Sequence, residues 1–304
     1  MKTKGFLKFA GRQSGWAFLL FVNFMTKLLP EAFSRAVLKS AARACYAVPG
    51  YRRAVIEKNI EWVFGRENRL GETRRVLDSM MANIVNNLLE LMKLDSQNYR
   101  NIKNAVILEG KDNLDGALSG GKGVIAVSAH LGNFPIACAR LVAEGYGYAA
   151  MAGNARDERV GGYFSGLWKR QGMVIIPSLP AFSAMSRSLE VLKSNMILAI
   201  YADQNRVRGG LFADFFGKPA STVSSPAALS LKTGAPIVPL FMVREGPYRH
   251  RMIIEEPLET GQKTGDEAET IMAITVKING IIEKYILKYP EQWWWFHDRW
   301  KTRP

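Results

Sequence analysis

Among the three histidines of this sequence, His130 is the one whose surroundings carry chemical meaning. It follows Val124 to Ala129, a short apolar run rich in β-branched residues, which is the pattern of a buried parallel strand. After His130, Leu131, Gly132 and Asn133 the sequence turns apolar from Pro135 to Glu144 and stops at Gly145, which predicts a helix capped by Asn133 or Phe134 with proline in its first turn. An imidazole at the carboxyl end of a strand, beside a helix N-terminus, lies where open α/β sheets hold their ligands. The ordinary imidazole pKa of about 6.5 leaves a neutral base at neutral pH, and a positioned base of this kind is typically worth about 100- to 10,000-fold in rate. A polar residue ending a strand is the plainer reading of the same position.

Other residues fit the same chemistry less sharply. Asp203, Gln204 and Asn205 follow the predicted strand Ile197 to Ala202 and also read as an ordinary turn. Arg170, in Lys169-Arg170-Gln171-Gly172, precedes the strand Met173 to Pro177, where a guanidinium could clamp a phosphate or polarise a carbonyl; a solvated helix end is the alternative. Backbone donors near Gly132 and Asn133 could hold a developing oxyanion. The loop Phe212 to Thr222, with Phe215 and Phe216, is too apolar for ordinary solvent exposure and reads as a wall for an apolar ligand or as core. Trp293, Trp294, Trp295 and Phe296, followed by His297, Arg299, Trp300, Lys301 and Arg303, set aromatics beside cations, a pattern suited to the headgroup level of a bilayer.

The elements that would position these residues fall into two sections. Residues 1–95 read as helices: an apolar stretch Trp16 to Leu29 behind Lys2, Lys4, Lys8 and Arg12, then three amphipathic segments near 31–48, 51–64 and 73–93. From residue 96 strands and helices alternate, predicting an α/β domain over 96–304 with strands near 105–109, 124–129, 148–152, 173–177, 197–202, 237–243 and 251–254. A long final helix over 267–287 carries isoleucines at helical spacing.

The 304-residue chain has a formal charge of +14. Its first 60 residues hold eleven Lys and Arg against Glu31 and Glu57, so +9 of that charge sits in the first fifth. Such charge seeks phosphate on nucleic acid or on an anionic membrane face. The apolar stretch beside it favours the membrane, and no nucleic-acid module is visible. At fourteen residues that stretch falls short of the roughly 20 that span a bilayer, so an interfacial anchor is expected, with a marginal spanning helix or a buried helix as alternatives. Cys45 and Cys138 lack metal-ligand spacing and read as core thiols. There is no phosphate-binding glycine loop, dinucleotide signature or zinc spacing, so neither metal nor cofactor is expected.

The blocks SAHLGNF (128–134), YADQN (201–205), DFFGKPAST (214–222) and PEQWWWFHDRWKTRP (290–304) occur in the order found in the late acyltransferases of lipid A biosynthesis, which this sequence resembles over nearly its whole length. The resemblance implies an αβ sandwich of the glycerolipid acyltransferase type with a mostly parallel central sheet. It implies acyl transfer from acyl carrier protein or coenzyme A, as co-substrate, to a lipid hydroxyl at the cytoplasmic face of the cell inner membrane. His130 and Asp203 would be the catalytic residues, with Gly132, Asn133, Arg170, Gln204, Phe215 and Phe216 at the substrates. The family motif places a carboxylate five residues after the histidine, and here that residue is Pro135. Either another carboxylate reaches His130 in space, with Asp203 ahead of Asp157 and Glu158, or His130 works without one, or the chain keeps only a lipid-binding surface. A phospholipid or another glycolipid is the alternative acceptor.

Overall fold

The computed structural model describes residues 2–47, 50–65, 71–94, 101–153, 157–260 and 266–304. The side chains of Lys2, Lys4, Lys8, Arg12 and Cys45 lie outside the described residues. Four helices come first: α1 (Lys2–Leu28), α2 (Glu31–Ala47), α3 (Tyr51–Phe64) and α4 (Gly71–Met92). The apolar stretch therefore belongs to a 27-residue helix. No helix among the described residues is long and apolar enough to cross a membrane.

The α/β part runs α5 (Ile102–Ala105), β1 (Val106–Glu109), α6 (Lys111–Ser119), β2 (Val124–Ser128), a 3₁₀ turn (Phe134–Ile136) leading into α7 (Ala137–Ala143), β3 (Tyr148–Ala152), α8 (Glu158–Arg170), β4 (Val174–Pro177), α9 (Ala181–Lys193) and β5 (Ile197–Tyr201). It continues with β6 (Leu211–Phe215), β7 (Lys218–Thr222), α10 (Ser225–Thr233), β8 (Ile237–Gly246), β9 (Arg249–Ile254) and α11 (Glu267–Lys288). Seven strands form one sheet in the order β1-β9-β8-β2-β5-β3-β4. It is parallel except where β9 runs antiparallel to β8. Both faces are covered, and β2 is buried at every residue, which is why it reads as an unbroken apolar run.

Asp157 caps α8 by accepting from the Arg159 N–H, and Asp266 caps α11 by accepting from the Ala268 N–H. In α11 the fourfold spacing of Ile274, Ile278, Ile282 and Ile286 becomes one buried stripe against the sheet. The change of pattern near residue 95 falls at 95–100, outside the described residues. Ile56 and Ile60 of α3 and Met80 of α4 nevertheless share one apolar core with Ile125, Ile200 and Trp295.

Two expectations give way here. Phe212 to Thr222 is no loop but the antiparallel hairpin β6–β7, packed on α11. Its two-residue turn puts Phe216 at φ +54° and Gly217 at φ +70°, a geometry usually announced by Asn-Gly, so the aromatic hides the signal. The tryptophan-rich end is mostly core: Trp293, Trp295 and Trp300 are buried and only Trp294 is exposed. Two of their indole N–H groups are met inside the protein: Trp295 Nε1–H donates to the Pro290 carbonyl and Trp293 Nε1–H to Asp203.

Candidate active site

Strands β2 and β5 are neighbours, with Ser128 opposite Tyr201. Two residues past each, His130 and Asp203 meet at the carboxyl edge of the sheet. Asp203 Oδ1 lies 2.8 Å from His130 Nδ1, and Oδ2 accepts the His130 backbone N–H at 2.9 Å and the Trp293 Nε1–H at 2.8 Å. The carboxylate is 2% exposed. Burial alone would oppose its ionisation, but the His130 charge and the hydrogen bonds from His130 and Trp293 outweigh that and hold its pKa at about 2. A carboxylate on Nδ1 fixes the tautomer and leaves Nε2 as the basic nitrogen. The ring is bracketed by Phe134 and Tyr201, with centroids at 4.8 and 5.1 Å.

His130 lines a cavity of about 770 Å³. The cavity runs between α8 and the sheet, from Ala152 and Pro177 at the carboxyl ends of β3 and β4 to Tyr148 and Met173 at their amino ends. Apart from His130 and Glu158, its walls are mainly aromatic and aliphatic, and Pro135 is part of them. A slot of this size and lining, with one base where it meets the sheet edge, suits a hydrocarbon chain whose reactive end stops at the imidazole.

Residues 6–302 match the sequence profile described as bacterial lipid A biosynthesis acyltransferase. The chain belongs to this family. It is 24% identical over 295 residues, covering 95% of this chain and 90% of the relative, to a phosphatidylinositol mannoside acyltransferase of Mycolicibacterium smegmatis. A phosphatidylinositol mannoside acyltransferase of Mycobacterium tuberculosis is 28% identical over 163 residues, 52% of this chain, and the match spans about half of that relative, 51%. A lipid A biosynthesis palmitoleoyltransferase of Escherichia coli is 35% identical over 99 residues, 32% of this chain and 30% of the relative. The family and these relatives are acyltransferases.

Several residues expected at the substrates of such a family member stand elsewhere. The Gly132 N–H is already given to the Gln292 carbonyl at 2.9 Å, so it is no oxyanion donor. Gly132 itself is required by space, since a Cβ there would sit 2.1 Å from the Met242 carbonyl oxygen and φ is +59°. The Asn133 side chain is buried and donates to Glu90. Arg170 ends α8 at the amino edge of the sheet, opposite to His130, because the crossover from β3 to β4 carries the chain back across the sheet. Phe215 is fully buried against Trp293 and Trp300, and Phe216 packs on Phe215 while its N–H donates to Glu283. Neither phenylalanine lines the cavity. Gln204 is half-buried beside Asp203, outside the cavity wall. Of the other carboxylates considered, Asp157 pairs with Arg159, and Glu158 lines the cavity with no hydrogen bond to His130.

Sequence reasoning missed the support behind the His130 turn. Glu90 of α4 takes five donors: both terminal nitrogens of Arg244, the Tyr248 N–H, Asn133 Nδ2 and His250 Nε2. Burial opposes its charge, yet the hydrogen bonds from His250 and Arg244 bring its pKa to about 2. Burial lowers the pKa of His250, whose Nε2 lies 2.9 Å from the Glu90 carboxylate. Asn87, one turn earlier, accepts from Arg244 and donates to the Gly132 carbonyl at 2.8 Å. The available signal was a carboxylate inside the apolar run Leu88-Leu89-Glu90-Leu91-Met92.

Proposed function

We propose that this protein moves a fatty acyl group from an acyl thioester, carried by acyl carrier protein or coenzyme A, to a hydroxyl of a lipid A precursor. The observation that carries the reading is His130, held by Asp203 through Nδ1, at the edge of a cavity shaped for a hydrocarbon chain. The thioester lies with its chain along α8. His130 Nε2 takes the acceptor hydroxyl proton as the oxygen attacks the carbonyl carbon, and Asp203 stabilises the imidazolium that results. Collapse of the tetrahedral intermediate breaks the carbon–sulfur bond, and the departing thiolate takes the proton back from Nε2. No acyl-enzyme forms. The carboxylate against the ring supports this over a silent lipid-binding homologue, since an idle site has no need of a buried charge that costs desolvation.

The reaction belongs at the cytoplasmic face of the inner membrane. Supporting this, α1 crosses the carboxyl edge of the sheet, from Gln13 beside Arg159 at the start of α8 to the neighbourhood of Glu31, which pairs with Lys93 and Tyr248 by the β8–β9 turn. Leu19, Val22 and Met25 are buried beneath it, while Phe18, Leu20, Phe21, Phe24 and Leu28 are 45–65% exposed. Apolar exposure of this size, beside basic sequence, marks an interaction surface.

A second reading replaces the lipid A precursor with a phosphatidylinositol mannoside-type glycolipid, favoured by the match that covers 95% of this chain. Incubating the purified protein and its His130→Ala variant with labelled acyl donors and a panel of membrane lipids tests both. Transfer is expected with the native protein alone, and the labelled lipid decides the acceptor. Full transfer by the variant would remove His130 from the mechanism.

A further inference from the structure

A second apolar cavity, of about 580 Å³, opens among α1, α2, α3 and α4. Its walls include Phe18, Leu38, Met81, Leu88 and Phe296, and among the described residues its charged lining groups are Arg52 and Arg53. The volume lies in the range of ordinary ligand sites, roughly 300–1,000 Å³. Arg52 donates to the Phe296 carbonyl at 2.9 Å, and Arg53 pairs with Glu57 at 2.9 Å. Both guanidinium groups are thereby held at the groove. Phe18 is 49% exposed and continues into the bare face of α1 formed by Phe21 and Phe24, so the groove reaches the surface that the proposed function turns to the bilayer.

The groove is joined to the candidate active site by a short piece of chain. The Trp294 N–H donates to the His130 carbonyl at 3.0 Å, the Trp294 ring packs on Phe296 at 5.2 Å, and Phe296 is a wall of the groove. The cavity under α8 has a different lining and shares no residue with this groove. Acyl transfer brings two lipids to one imidazole, and a single hydrocarbon slot holds only one of them. Resting on the transferase reading, we infer that the groove among α1–α4 seats an acyl chain of the acceptor lipid, with its anionic headgroup against Arg52 and Arg53.

The test uses the full chain with vesicles of phosphatidylcholine carrying phosphatidylglycerol that bears a diazirine in its acyl chain, with crosslinks mapped by mass spectrometry. Labelling is expected within residues 38–53 and 81–88. Arg52→Gln with Arg53→Gln, both at the protein surface, is expected to reduce it at least fivefold. Ala42→Trp, which fills the groove, is expected to abolish it in a protein whose thermal melt shows it folded. Labelling confined to the outer face of α1 or to the cavity under α8 would overturn the inference, as would equal labelling by a diazirine phosphatidylcholine. Transfer of a labelled acyl group from acyl carrier protein or coenzyme A thioesters to any member of the membrane-lipid panel by the native protein reports separately on the transferase reading. Its absence would sink that reading whatever the crosslinks show.

Discussion

Asp203 presents both carboxylate oxygens to His130, one to ring Nδ1 at 2.8 Å and one to the backbone N–H at 2.9 Å. The acid thus comes from the neighbouring strand rather than from the helix that follows the histidine, and it orients main chain and ring together. Asp203→Asn keeps the shape but cannot stabilise the imidazolium, and it permits the wrong tautomer. We expect a loss of about 100- to 10,000-fold in kcat with little change in KM, read from steady-state transfer of a labelled acyl group. A rise in KM alone, with kcat unchanged, would mean that Asp203 serves binding.

Putting a carboxylate back at position 135 should harm rather than help. Pro135 is part of the apolar cavity wall, and Asp203 already occupies Nδ1. Pro135→Glu would place a charge where the hydrocarbon is proposed to lie, at a desolvation cost of several kcal/mol unless it is protonated. At least a tenfold rise in KM for the acyl donor is expected at pH 8, easing at lower pH as the introduced acid takes a proton. A gain in rate would show that Asp203 is only a partial substitute.

The cavity under α8 makes chain length a question of how far the slot runs. Ser165 and Gly161 of α8 line it between its ends. Ser165→Phe should shorten it, and each methylene denied burial costs about 0.8 kcal/mol, roughly fourfold in affinity. Competition between a long and a short acyl donor should swing toward the short one by one to two orders of magnitude. Unchanged selectivity would place the acyl chain elsewhere.

How far the sequence led can be judged at the same residues. The strand before His130 was legible from four buried apolar residues in a row, Val124 to Val127, and so was the strand before Asp203, from Ile197 to Ile200. That the two strands are neighbours with Ser128 opposite Tyr201 is a matter of sheet order and register, and no local pattern encodes either. Arg170 was misplaced because its distance along the chain from β4 says nothing about which end of the sheet it occupies. The tryptophans misled because an indole beside a cation looks the same in a core as at an interface until its N–H partner is known; for Trp293 that partner is Asp203. Glu90 escaped because its five donors come from the turn after β2 and from the β8–β9 hairpin, both far from α4 in the chain.

Acid should unfold the protein through two buried carboxylates. Glu90 falls from an ordinary 4.5 to about 2, and Asp203 from 3.8 to about 2. Because the folded values are the lower ones, their stabilisation is fully present above about pH 4.5 and is lost as pH drops through about 2. Each contributes on the order of 2 kcal/mol. Glu90→Gln leaves the Arg244 guanidinium buried without its counter-ion, a loss of about 3 kcal/mol at pH 7. Denaturant melts from pH 7 to pH 2.5 should show the gap between native and variant protein narrowing as pH falls; a constant gap would mean that Glu90 acts through shape alone.

The exposed face of α1 gives the last prediction, and its physics separates two contributions. Phe18, Phe21 and Phe24 offer apolar area that salt does not screen, whereas the basic residues of the first 60 act on anionic headgroups within a Debye length of about 8 Å at physiological ionic strength. Sedimentation with anionic vesicles should therefore show binding that weakens but persists in 0.5 M salt. Phe21→Ser with Phe24→Ser, on a surface that supports no core packing, should lower the partition coefficient at least tenfold at every salt concentration, since burying one phenylalanine is worth roughly 1.5–3 kcal/mol. Transfer to a detergent-dispersed acceptor should survive in the same variant, because neither residue lines either cavity. Native protein that stays in the supernatant with anionic vesicles at low salt would contradict the membrane-facing role of α1, while leaving the His130–Asp203 chemistry to be judged on its own assay.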